Sequence, residues 1–420
     1  MSIERTMCII GNGCAAIEAI KALRENDYAG QIHLMTNSIW PSYNPMLTTY
    51  YVAGKIDFEN LFPLGNNMDF YQQYDVELHL GSPVVELDAE NKIIRNEAGY
   101  KLEYDKCLVA TGSSPFLPSI EGITNNRVYT LRTVEDAQCL RKALQDSPKK
   151  ALVVGASMIG IKVVELLYNA GLEVCLADQA THLFPLAAHP ECAKIIENRL
   201  VEKCIKLRFG AALQGIEESS QGLCAHFSES DDPEEADLIV ICIGVRPNLS
   251  FINMDQIKVD KGILVDDQLR TSNPDLFAAG DVAQGTNLMT GEKEIIGLLP
   301  NARYQGRIAG RNMAGREEFY RGNIPHNITH FMDMVFTGLG DLRNGSREEI
   351  LRDTDSYIHM AWNGKHLVGV NMLGPSCAGI GIIKNALEKS LMTNTYIDDD
   401  GLCSNKLQAN LLFRHFSKQS

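Results

Sequence analysis

Short apolar runs that end in glycine-rich turns recur along the chain. Residues 7–10 form the first run, residues 11–16 (GNGCAA) form its turn, and apolar residues at helical spacing follow, beginning with Ile17 and Ile20. An apolar run without polar alternation is typical of a parallel strand that is buried on both faces. The pattern therefore predicts a strand, a tight turn and a helix, with a second strand over residues 31–35.

The same unit recurs in the middle of the chain. Residues 151–154 form an apolar run, residues 155–160 (GASMIG) follow as a turn, and a helical pattern over 163–167 leads to a further strand over 173–177. That strand ends at Asp178. A glycine turn of this kind between a strand and a helix is the signature of a dinucleotide-binding unit, so its repetition predicts two such domains.

The remaining pattern predicts the fold class and the domain boundaries. Three further segments, 107–112, 238–243 and 276–281, each begin with an apolar run and end in a turn. The acidic stretch over 229–235 is predicted to be a hairpin loop. From residue 325 the pattern changes to short strands, such as 368–372, and one helix over 380–391. We expect an α/β protein with two Rossmann-like dinucleotide-binding domains and a smaller α+β C-terminal domain. The predicted boundaries are 1–113 with 244–324 for the first domain, which is split, 114–243 for the second and 325–420 for the third.

Composition limits the classes of protein that remain. The chain has 420 residues, enough for two or three domains of about 150 residues each, and a net charge of −14. Such an excess of acidic residues argues against nucleic acid or an anionic membrane surface as the main partner. The longest uncharged apolar stretch, 151–161, is too short to span a bilayer.

The cysteines indicate the redox environment. Eleven cysteines are scattered along the chain without a C-x-x-C pair, and several lie within apolar runs. This usage is typical of reduced thiols that pack as small apolar side chains. With no signal sequence ahead of the first strand, we expect a cytoplasmic protein, and we expect no metal site.

The glycine turns supply the candidate chemistry. Their glycines let the backbone approach a pyrophosphate, and the following helix directs its free N–H groups at the phosphate charge. A single turn of this kind could be a tight strand–helix connection that binds no ligand. Two such turns, each between a strand and a helix, favour nucleotide binding.

The end of the second strand in each unit indicates which nucleotide binds there. An acidic residue at this place binds the adenosine ribose hydroxyls. Asp178 has this place in the second unit and Ser38 has it in the first. A carboxylate repels a 2′-phosphate, so Asp178 favours NAD over NADP. A solvated strand end is the alternative interpretation of Asp178.

Five motifs in order resemble the two-dinucleotide-domain flavoprotein family of pyridine nucleotide-dependent oxidoreductases. They are GNGCAA at 11–16, ATGSSPFLP at 110–118, GASMIG at 155–160, GVRPN at 244–248 and LFAAGDVA at 276–283. The resemblance covers nearly the whole chain. It implies that the split first domain binds FAD and that the second domain binds NAD(H).

The resemblance also implies which residues contact each cofactor. The FAD residues are Gly11, Asn12, Gly13, Cys14, Ala15, Ala16, Ser38, Val84, Ala110, Thr111, Gly112, Gly280, Asp281, Pro300, Asn301 and Ala302. The NAD residues are Gly155, Ser157, Met158, Ile159, Gly160, Asp178 and Gly244. The helix that starts near residue 299 is implied to direct its N-terminus at the flavin pyrimidine ring, where its dipole stabilises a reduced flavin.

Two segments, 42–55 and 290–315, are similar to nitrite-reductase-like and rubredoxin-reductase-like members. Within that group the chain looks most like FAD subunits of anaerobic multi-subunit enzymes, such as phenylglyoxylate dehydrogenase and tungsten aldehyde oxidoreductase. Rubredoxin-reductase-like members often carry Glu at the position of Ser38 and Arg at the position of Pro45.

Many of these relatives also pair a Lys near Tyr50 with a Glu at the position of Lys162. Here the first is lost and the second is reversed in charge. Lys162 is the candidate catalytic residue, beside the nicotinamide and the flavin. A helix lysine that reaches solvent is the alternative.

These observations predict an FAD-dependent NAD(H):acceptor oxidoreductase that exchanges electrons with an iron–sulfur protein or subunit, as part of an oligomer or a complex. Two alternatives stay open: a flavin-containing protein whose redox state controls partner binding, and a self-contained NADH oxidase. Disulfide-reductase relatives carry two cysteines in the first helix, whereas this helix has only Cys14, which we expect to pack in the turn. The ten histidines show no catalytic grouping.

Overall fold

The computed structural model describes residues 5–220, 222–228, 230–353, 356–364, 366–374 and 380–393. Contacts divide the chain into two compact units. Unit 1 comprises Met1–Leu47, Ile56–Ser114 and Val245–Asn323, and unit 2 comprises Thr48–Lys55, Pro115–Gly244 and Ile324–Ser420. The predicted C-terminal domain, 325–420, therefore shares a unit with the predicted NAD domain, and residues 48–55 of the predicted FAD domain join the same unit.

Helices and strands follow one another through the described ranges. In chain order the strands are β1 (Thr6–Ile10), β2 (Gln31–Met35), β3 (Val76–His79), β4 (Val84–Asp88), β5 (Ile93–Asn96), β6 (Lys101–Glu103), β7 (Lys106–Val109), β8 (Ser113–Pro115), β9 (Val128–Tyr129), β10 (Lys150–Val154), β11 (Glu173–Asp178), β12 (Lys206–Phe209), β13 (Leu213–Ser219), β14 (Gly222–Phe227), β15 (Ser230–Ala236), β16 (Leu238–Ile241), β17 (Val245–Pro247), β18 (Ile263–Leu264), β19 (Leu276–Ala278), β20 (Ala283–Thr286), β21 (Lys293–Glu294), β22 (His326–Phe331), β23 (Met334–Gly340), β24 (Arg347–Arg352), β25 (Tyr357–Asn363) and β26 (His366–Gly374). The helices are α1 (Cys14–Glu25), α2 (Thr48–Val52), α3 (Asp69–Gln73), α4 (Val134–Gln145), α5 (Met158–Asn169), α6 (Pro190–Glu202), α7 (Leu299–Met313) and α8 (Ile380–Thr393), with short 3₁₀ segments at Pro45–Leu47, Phe58–Leu61 and Leu342–Asn344.

The main sheet of unit 1 is parallel throughout, with strand order β19-β7-β1-β2-β3. Residues 7–10 of β1 are all buried, which explains why this strand shows no polar alternation. The strands predicted over 7–10 and 31–35 are confirmed. Unit 1 also contains the smaller sheets β4-β5-β6 and β18-β20-β21.

Two helices of unit 1 pack unusually closely against each other. A Cβ on Gly306 of α7 would lie 2.1 Å from Ala15 O of α1, and a Cβ on Gly310 would lie 2.5 Å from Ala19 O. The two glycines are one helical turn apart, so together they let the backbones of α7 and α1 touch. This contact fixes the start of α1 relative to α7, and both helix starts carry predicted FAD residues.

The main sheet of unit 2 is a second parallel sheet, with strand order β12-β11-β10-β16-β9. Its central strands contribute the fully buried residues Val153, Leu176 and Val240. Strand β10, helix α5 and strand β11 follow each other as the second glycine turn predicts, and this prediction is confirmed.

The acidic stretch over 229–235 is not a hairpin loop, so that prediction is wrong. Residues 230–236 form β15, which pairs antiparallel with β14. Glu234 is held by Lys206 Nζ at 2.6 Å and Arg208 Nη1 at 3.8 Å. Cations on β12, a strand of the parallel sheet, therefore pair with a carboxylate whose charge, in sequence alone, indicates a solvated loop.

The C-terminal part of unit 2 is an antiparallel sheet with strand order β22-β23-β26-β25-β24, followed by α8. The predicted strand over 368–372 and the predicted helix over 380–391 are confirmed. The predicted third domain continues to residue 420, and 394–420 lie outside the described residues. Of the helices in the described ranges, none combines the length and apolarity needed to cross a bilayer.

Candidate cofactor sites

The first glycine turn joins β1 to α1 and lies against the ends of two other strands. Gly11 has a φ of +104° and donates its N–H to Met35 O at 2.8 Å. A Cβ on Gly11 would lie 2.3 Å from Ala110 O, so only glycine lets β1 and β7 end this close together. The structure thus brings two groups of predicted FAD residues together, those of the turn at 11–16 and those that follow β7 at 110–112.

The N-terminus of α1 fits a phosphate group. Gly13 is its N-cap, no described side chain caps it, and its first turn holds no acidic residue. No described atom lies within 4 Å of the position that a Cβ on Gly13 would take. The first N–H groups of a helix have no partner within the helix, and the helix dipole adds positive charge there. Open space and uncapped donors together match the pyrophosphate of FAD.

Cys14, the first residue of α1, is held as a thiol. Its Sγ donates a hydrogen bond to Leu299 O at 3.9 Å. Burial, together with the nearby Asp281 carboxylate, raises the pKa of the Cys14 thiol to about 11. Thiol–disulfide exchange needs the thiolate, which is scarce at neutral pH when the pKa is this high. All cysteines within the described ranges are free.

A turn after β7 forms a second side of the candidate FAD site. Thr111 Oγ1 donates to Asn248 O at 3.0 Å, and Asn248 Nδ2 donates to Thr111 O at 2.9 Å. Asn248 N–H also donates to Gly112 O at 3.0 Å. These three bonds fix Ala110, Thr111 and Gly112 against the segment that begins the second half of the split domain.

The turn after β19 forms a third side. Gly280 has a φ of +83° and donates its N–H to Gln305 Oε1 at 2.8 Å. Asp281 Oδ2 accepts a hydrogen bond from Ser113 Oγ at 3.1 Å. A Cβ on Gly280 would lie 3.6 Å from the Cβ atoms of both Ala15 and Ala302. The predicted FAD residues of α1, β19 and α7 therefore meet at Gly280.

The N-terminus of α7 contributes backbone donors rather than side chains. Leu298 is its N-cap, without a side-chain cap, and Pro300 lies within its first residues. Asn301 is fully buried: its Nδ2 donates to Ile296 O at 3.0 Å, and its Oδ1 accepts from Tyr320 OH at 2.8 Å. The Asn301 side chain is thus committed to packing. Pro300 has no N–H and the Ala302 N–H donates to Leu298 O at 2.9 Å, so of residues 300–302 it is the Asn301 N–H that can serve a ligand.

Ser38, Val84 and Asn12 lie at the edges of this arrangement. Ser38 follows the end of β2, and its Oγ accepts from Trp40 N at 3.1 Å and donates to Trp40 O at 3.3 Å. The hydroxyl therefore stabilises its own turn. Val84 is the first residue of β4 and pairs with Asn96. Asn12 Oδ1 accepts from Tyr71 OH at 2.8 Å, which fixes the side chain of this turn residue.

The second glycine turn is capped by its own side chain. Gly155 has a φ of +118°, and a Cβ there would lie 2.4 Å from Cys242 O. Ser157 Oγ accepts the N–H of Gly160 at 3.1 Å and donates to Cys242 O at 2.9 Å. One of the first N–H groups of α5 is therefore satisfied without any ligand.

The remaining predicted NAD residues surround this turn. Met158 and Ile159 are the first residues of α5, and Ile159 is exposed. A Cβ on Gly160 would lie 1.9 Å from Gly155 O, so glycine is required for the close helix–turn contact. Gly244 has a φ of +111° and no described atom within 4 Å of an added Cβ, which leaves space beside its backbone.

Asp178 lies at the end of β11 and is held by backbone groups. Its Oδ2 accepts from Ala156 N–H at 2.6 Å, and its Oδ1 accepts from Ala180 N–H at 2.7 Å. The carboxylate is therefore fixed beside the turn, and a freely solvated strand end does not describe it. Each oxygen keeps a lone pair that can accept from a ribose hydroxyl.

Lys162 does not extend into solvent, so that alternative is wrong. Its side chain is 17% exposed. Its Nζ donates to Glu165 Oε2 at 2.5 Å and to His330 O at 2.5 Å, and it lies 5.4 Å from the centre of the Tyr50 ring. Glu165 Oε1 in turn accepts from Met332 N–H at 2.9 Å. Within unit 2 the pair ties α5 to β22 and the residues that follow it.

Two histidine–glutamate groups also come together, although the sequence predicts no metal site. In each group, atoms able to ligate a metal lie within 4.8 Å of one another; the groups are His33, Glu77 and His79 in unit 1, and His189, Glu348 and His359 in unit 2. Both ring nitrogens of the buried His359 have partners: Tyr357 OH at 3.1 Å from Nδ1 and Glu348 Oε2 at 3.1 Å from Nε2. Hydrogen bonds within the protein thus account for His359.

Sequence reasoning missed several residues that build these sites. Asn248 lies in the GVRPN motif but was not a predicted contact, and Ser113 and Gln305 lie beside predicted residues. Their partners are distant in the chain, and only the folded sheet brings them together. Glu165 has a local signal, because a carboxylate three residues after Lys162 lies on the same helix face.

Comparison with known proteins identifies the family of the chain. The family model described as pyridine nucleotide-disulphide oxidoreductase matches residues 5–306. A curated relative, the NADH-dependent phenylglyoxylate dehydrogenase subunit epsilon of Aromatoleum evansii, is 33% identical over 333 residues, which are 79% of this chain and 78% of the relative. A rubredoxin-NAD(+) reductase of Pseudomonas putida is 28% identical over 337 residues, or 80% of this chain and 86% of the relative. The resemblance read from the five motifs is confirmed.

A solved structure shares the fold. The water-forming NADH oxidase of Lactobacillus brevis, bound to NADH, superposes with a TM-score of 0.88 at 23% identity, covering 94% of this chain and 92% of that chain. At this identity the similarity of the two structures shows a shared fold and nothing more. The predicted α/β class with two dinucleotide-binding domains is confirmed.

Proposed function

Because the chain belongs to the pyridine nucleotide-disulphide oxidoreductase family and is an FAD-dependent NADH oxidoreductase, we propose that it exchanges electrons between NADH and an iron–sulfur protein or subunit. The observation that carries the proposal is the state of Cys14. This cysteine at the candidate FAD site is a hydrogen-bonded thiol with a raised pKa, so electrons leave without a thiol relay. A dehydrogenase subunit and a rubredoxin reductase among the relatives support this path.

The chain's first task is to hold FAD, which when bound accepts a hydride from NADH and passes electrons onward. We assign the pyrophosphate to the uncapped N-terminus of α1, where Gly13 leaves room. Ser113 Oγ donates to Asp281 Oδ2 and orients that carboxylate, which we assign to the ribitol side of the cofactor. The turn of Thr111 and Gly112, fixed by Asn248, forms the opposite side.

The N-terminus of α7 has an electrostatic role in the proposal. It holds no acidic residue in its first turn and no described side-chain cap, so its N–H groups and dipole favour a negative charge. A reduced flavin carries such a charge on its pyrimidine side. The buried Asn301, locked by Ile296 and Tyr320, keeps this helix start in a single position.

The second task is to bind NADH, and we assign it to the turn of residues 155–160. Ser157 Oγ accepts the Gly160 N–H and so caps the start of α5 from within the turn. Asp178, fixed by two backbone N–H groups, presents its remaining lone pairs to the ribose hydroxyls. A 2′-phosphate at this place would meet the fixed carboxylate, so the chain prefers NADH to NADPH.

For Lys162 we propose a positioning role. Its ammonium is occupied by Glu165 and His330 O, so it orders the segment around residues 330–332. Removal of Lys162 would leave the buried Glu165 carboxylate without its cation.

A direct test compares electron acceptors with the purified flavoprotein. NADH is supplied without oxygen, and a rubredoxin or ferredoxin is the acceptor; oxygen uptake is measured in a parallel reaction. We expect reduction of the iron–sulfur protein to exceed oxygen uptake by at least about tenfold, because an acceptor held beside the flavin in a complex is oriented for electron transfer and dissolved oxygen is not. Rapid oxygen uptake without the iron–sulfur protein would instead identify a self-contained NADH oxidase. Very slow turnover with every acceptor would favour the redox-controlled interaction protein.

The same proposal includes the compartment in which the chain works and its assembly into a complex. Free cysteines throughout the described ranges suit a reducing compartment such as the cytoplasm. Electron exchange with a separate subunit requires a complex, so we propose that the chain works within one. Co-purification from the native source, with iron–sulfur absorption in the associated proteins, would test this.

A further inference from the structure

Two neighbouring strands of unit 1 place three possible metal ligands on one face. In the parallel pairing of β2 with the outer strand β3, His33 lies opposite Glu77 and Met35 lies opposite His79. Side chains alternate between the faces of a strand, so residues 33, 77 and 79 share a face. The grouping therefore follows from sheet register, and none of the three residues is among the candidate cofactor contacts.

The donor atoms of the group have the spacing of a tetrahedral metal site. His33 Nδ1 lies 3.3 Å from His79 Nε2 and 3.4 Å from Glu77 Oε2, and His79 Nε2 lies 3.4 Å from Glu77 Oε1. A tetrahedral zinc ion with bonds of about 2.0–2.2 Å holds its ligand atoms about 3.3–3.5 Å apart. The two imidazole nitrogens have this spacing, and each lies 3.4 Å from a different oxygen of Glu77, so a rotation of this exposed carboxylate brings one oxygen to both.

A neighbouring glutamine fixes the proton on His33. His33 Nε2 lies 3.4 Å from Gln31 Oε1, an amide oxygen that can only accept, so Nε2–H donates to it. In the neutral ring, Nδ1 then directs a lone pair toward the Glu77 carboxylate. His79 Nε2–H can donate to the same Nδ1 lone pair at 3.3 Å, and a cation that displaces this proton is coordinated by both rings and by the carboxylate. A histidine whose second nitrogen donates to an oxygen is the usual form of a metal ligand.

The group is ordered on one side and accessible on the other. The His33 and His79 side chains are 7% and 20% exposed, whereas the Glu77 side chain is 61% exposed. The two imidazole rings stack with their centres 5.6 Å apart, and the Tyr100 ring lies 5.5 Å from that of His79. Packing thus holds the two imidazoles, and an ion can enter from the side of the carboxylate.

We propose that His33, Glu77 and His79 bind a divalent transition metal ion, with zinc as the best match. Two imidazole nitrogens and one carboxylate suit zinc and leave a fourth position for water, whereas Mg²⁺ and Ca²⁺ prefer oxygen ligands throughout. The ion would join the outer strand β3 to β2 and stabilise the edge of the unit 1 sheet.

The test is metal titration of the chelator-treated flavoprotein, purified without a histidine tag. Zn²⁺ binding is measured by calorimetry and Co²⁺ binding by visible absorption, for the wild type, His79→Gln and Glu77→Gln. His226→Gln is the matched control, because His226 also lies beside a glutamate, Glu217 at 3.6 Å, on another sheet. Comparing stoichiometries cancels any metal bound elsewhere on the chain.

We expect the wild type to bind one more equivalent of zinc than His79→Gln, with the intense visible bands of tetrahedral Co²⁺. Glu77→Gln should weaken zinc at least about tenfold, and Gln31→Leu, which frees the His33 ring, should weaken it by about tenfold. Zinc should raise the melting temperature of the wild type and of His226→Gln but not that of His79→Gln.

Equal zinc stoichiometry in the wild type and His79→Gln would overturn the proposal, as would an equal loss in His226→Gln. Retained flavin and an unchanged melting temperature without metal show that each variant is folded. If His79→Gln does not fold, Glu77→Gln decides, because it changes an exposed side chain: unaltered zinc affinity in this variant contradicts the site.

Discussion

The two glycine turns have the same sequence pattern but begin their helices differently. In the first turn Gly13 is the N-cap of α1, and no described side chain caps the helix. In the second turn Ser157 is the N-cap of α5, and its hydroxyl accepts the N–H of Gly160 at 3.1 Å. Unsatisfied N–H groups carry a cost that a bound phosphate removes. The first turn therefore has no internal cap for its helix, whereas the second caps one N–H group of its helix, that of Gly160.

This difference matches the roles of the two cofactors. A flavin stays with the enzyme through every cycle, so a turn that depends on it has no disadvantage. NADH must enter and leave, and a turn that is ordered beforehand does not lose its structure at each exchange. The residues after the second strand of each unit also differ. Two backbone N–H groups fix the Asp178 carboxylate beside the second glycine turn, whereas the Ser38 hydroxyl hydrogen-bonds within its own local turn.

The largest effect is expected from Gly13→Asp. The added carboxylate fills the open space at α1 and caps the helix, but it repels the pyrophosphate. Repulsion of several kcal/mol corresponds to a loss of FAD affinity of about 100-fold or more. Flavin content after gel filtration and FAD titration of the apoprotein measure the effect. Normal flavin retention would mean that the pyrophosphate does not lie at this helix.

The next effect is expected from Asp178→Ala. Without the carboxylate the ribose loses its acceptor and a 2′-phosphate is no longer repelled, so the ratio of kcat/KM for NADPH over NADH should rise about 10- to 100-fold. Steady-state kinetics with both nucleotides measure this ratio. Glu173→Ala, at the exposed start of the same strand, should leave it unchanged. An unaltered ratio in Asp178→Ala would show that Asp178 does not contact the ribose.

A smaller effect is expected from Ser157→Ala. Loss of the cap leaves the Gly160 N–H without its acceptor and should lower the free energy of unfolding by about 1 kcal/mol. Ser38→Ala, whose hydroxyl caps no helix, is the matched control and should change it by much less. Chemical denaturation of the FAD-bound protein gives both values. Equal losses in the two variants would contradict a capping role for Ser157.

The smallest effect is expected from Cys14→Ser. Iron–sulfur protein reduction by NADH should stay within about threefold of the wild type, because a thiol is not on the electron path. The pKa of about 11 means that the thiolate is nearly absent at pH 8, so iodoacetamide should label Cys14 slowly there and faster as the pH approaches 11. The exposed Cys204 should react first. Abolished electron transfer, with the flavin still reduced by NADH, would place a cysteine on the path.

Local signals made much of the fold predictable. An apolar run followed by a glycine turn predicts β1 and β10 because burial on both faces and a tight turn are properties of adjacent residues. The roles of Asn248 and Gln305 could not be predicted, because their partners, Thr111 and Gly280, are remote in sequence and come close only after the sheet has formed.

The failures have similar physical causes. The acidic residues of β15 indicate a loop, but Lys206 on β12, a strand of the other sheet, pairs with Glu234. The grouping of His33 with His79 depends on the register between β2 and β3, and a shift of one residue would place them on opposite faces. Sequence periodicity identifies strands but does not give their register.

Hydrogen–deuterium exchange of the two helix starts tests most directly whether the first turn depends on its ligand and the second does not. The amides of residues 14–16 and of Gly160 are followed in the apoprotein, with FAD, and with FAD and NADH. We expect the amides of residues 14–16 to exchange rapidly in the apoprotein and at least about tenfold more slowly with FAD, whereas Gly160 is protected in all three states. Equal protection of residues 14–16 with and without FAD, or a Gly160 amide protected only by NADH, would contradict the difference between the two turns.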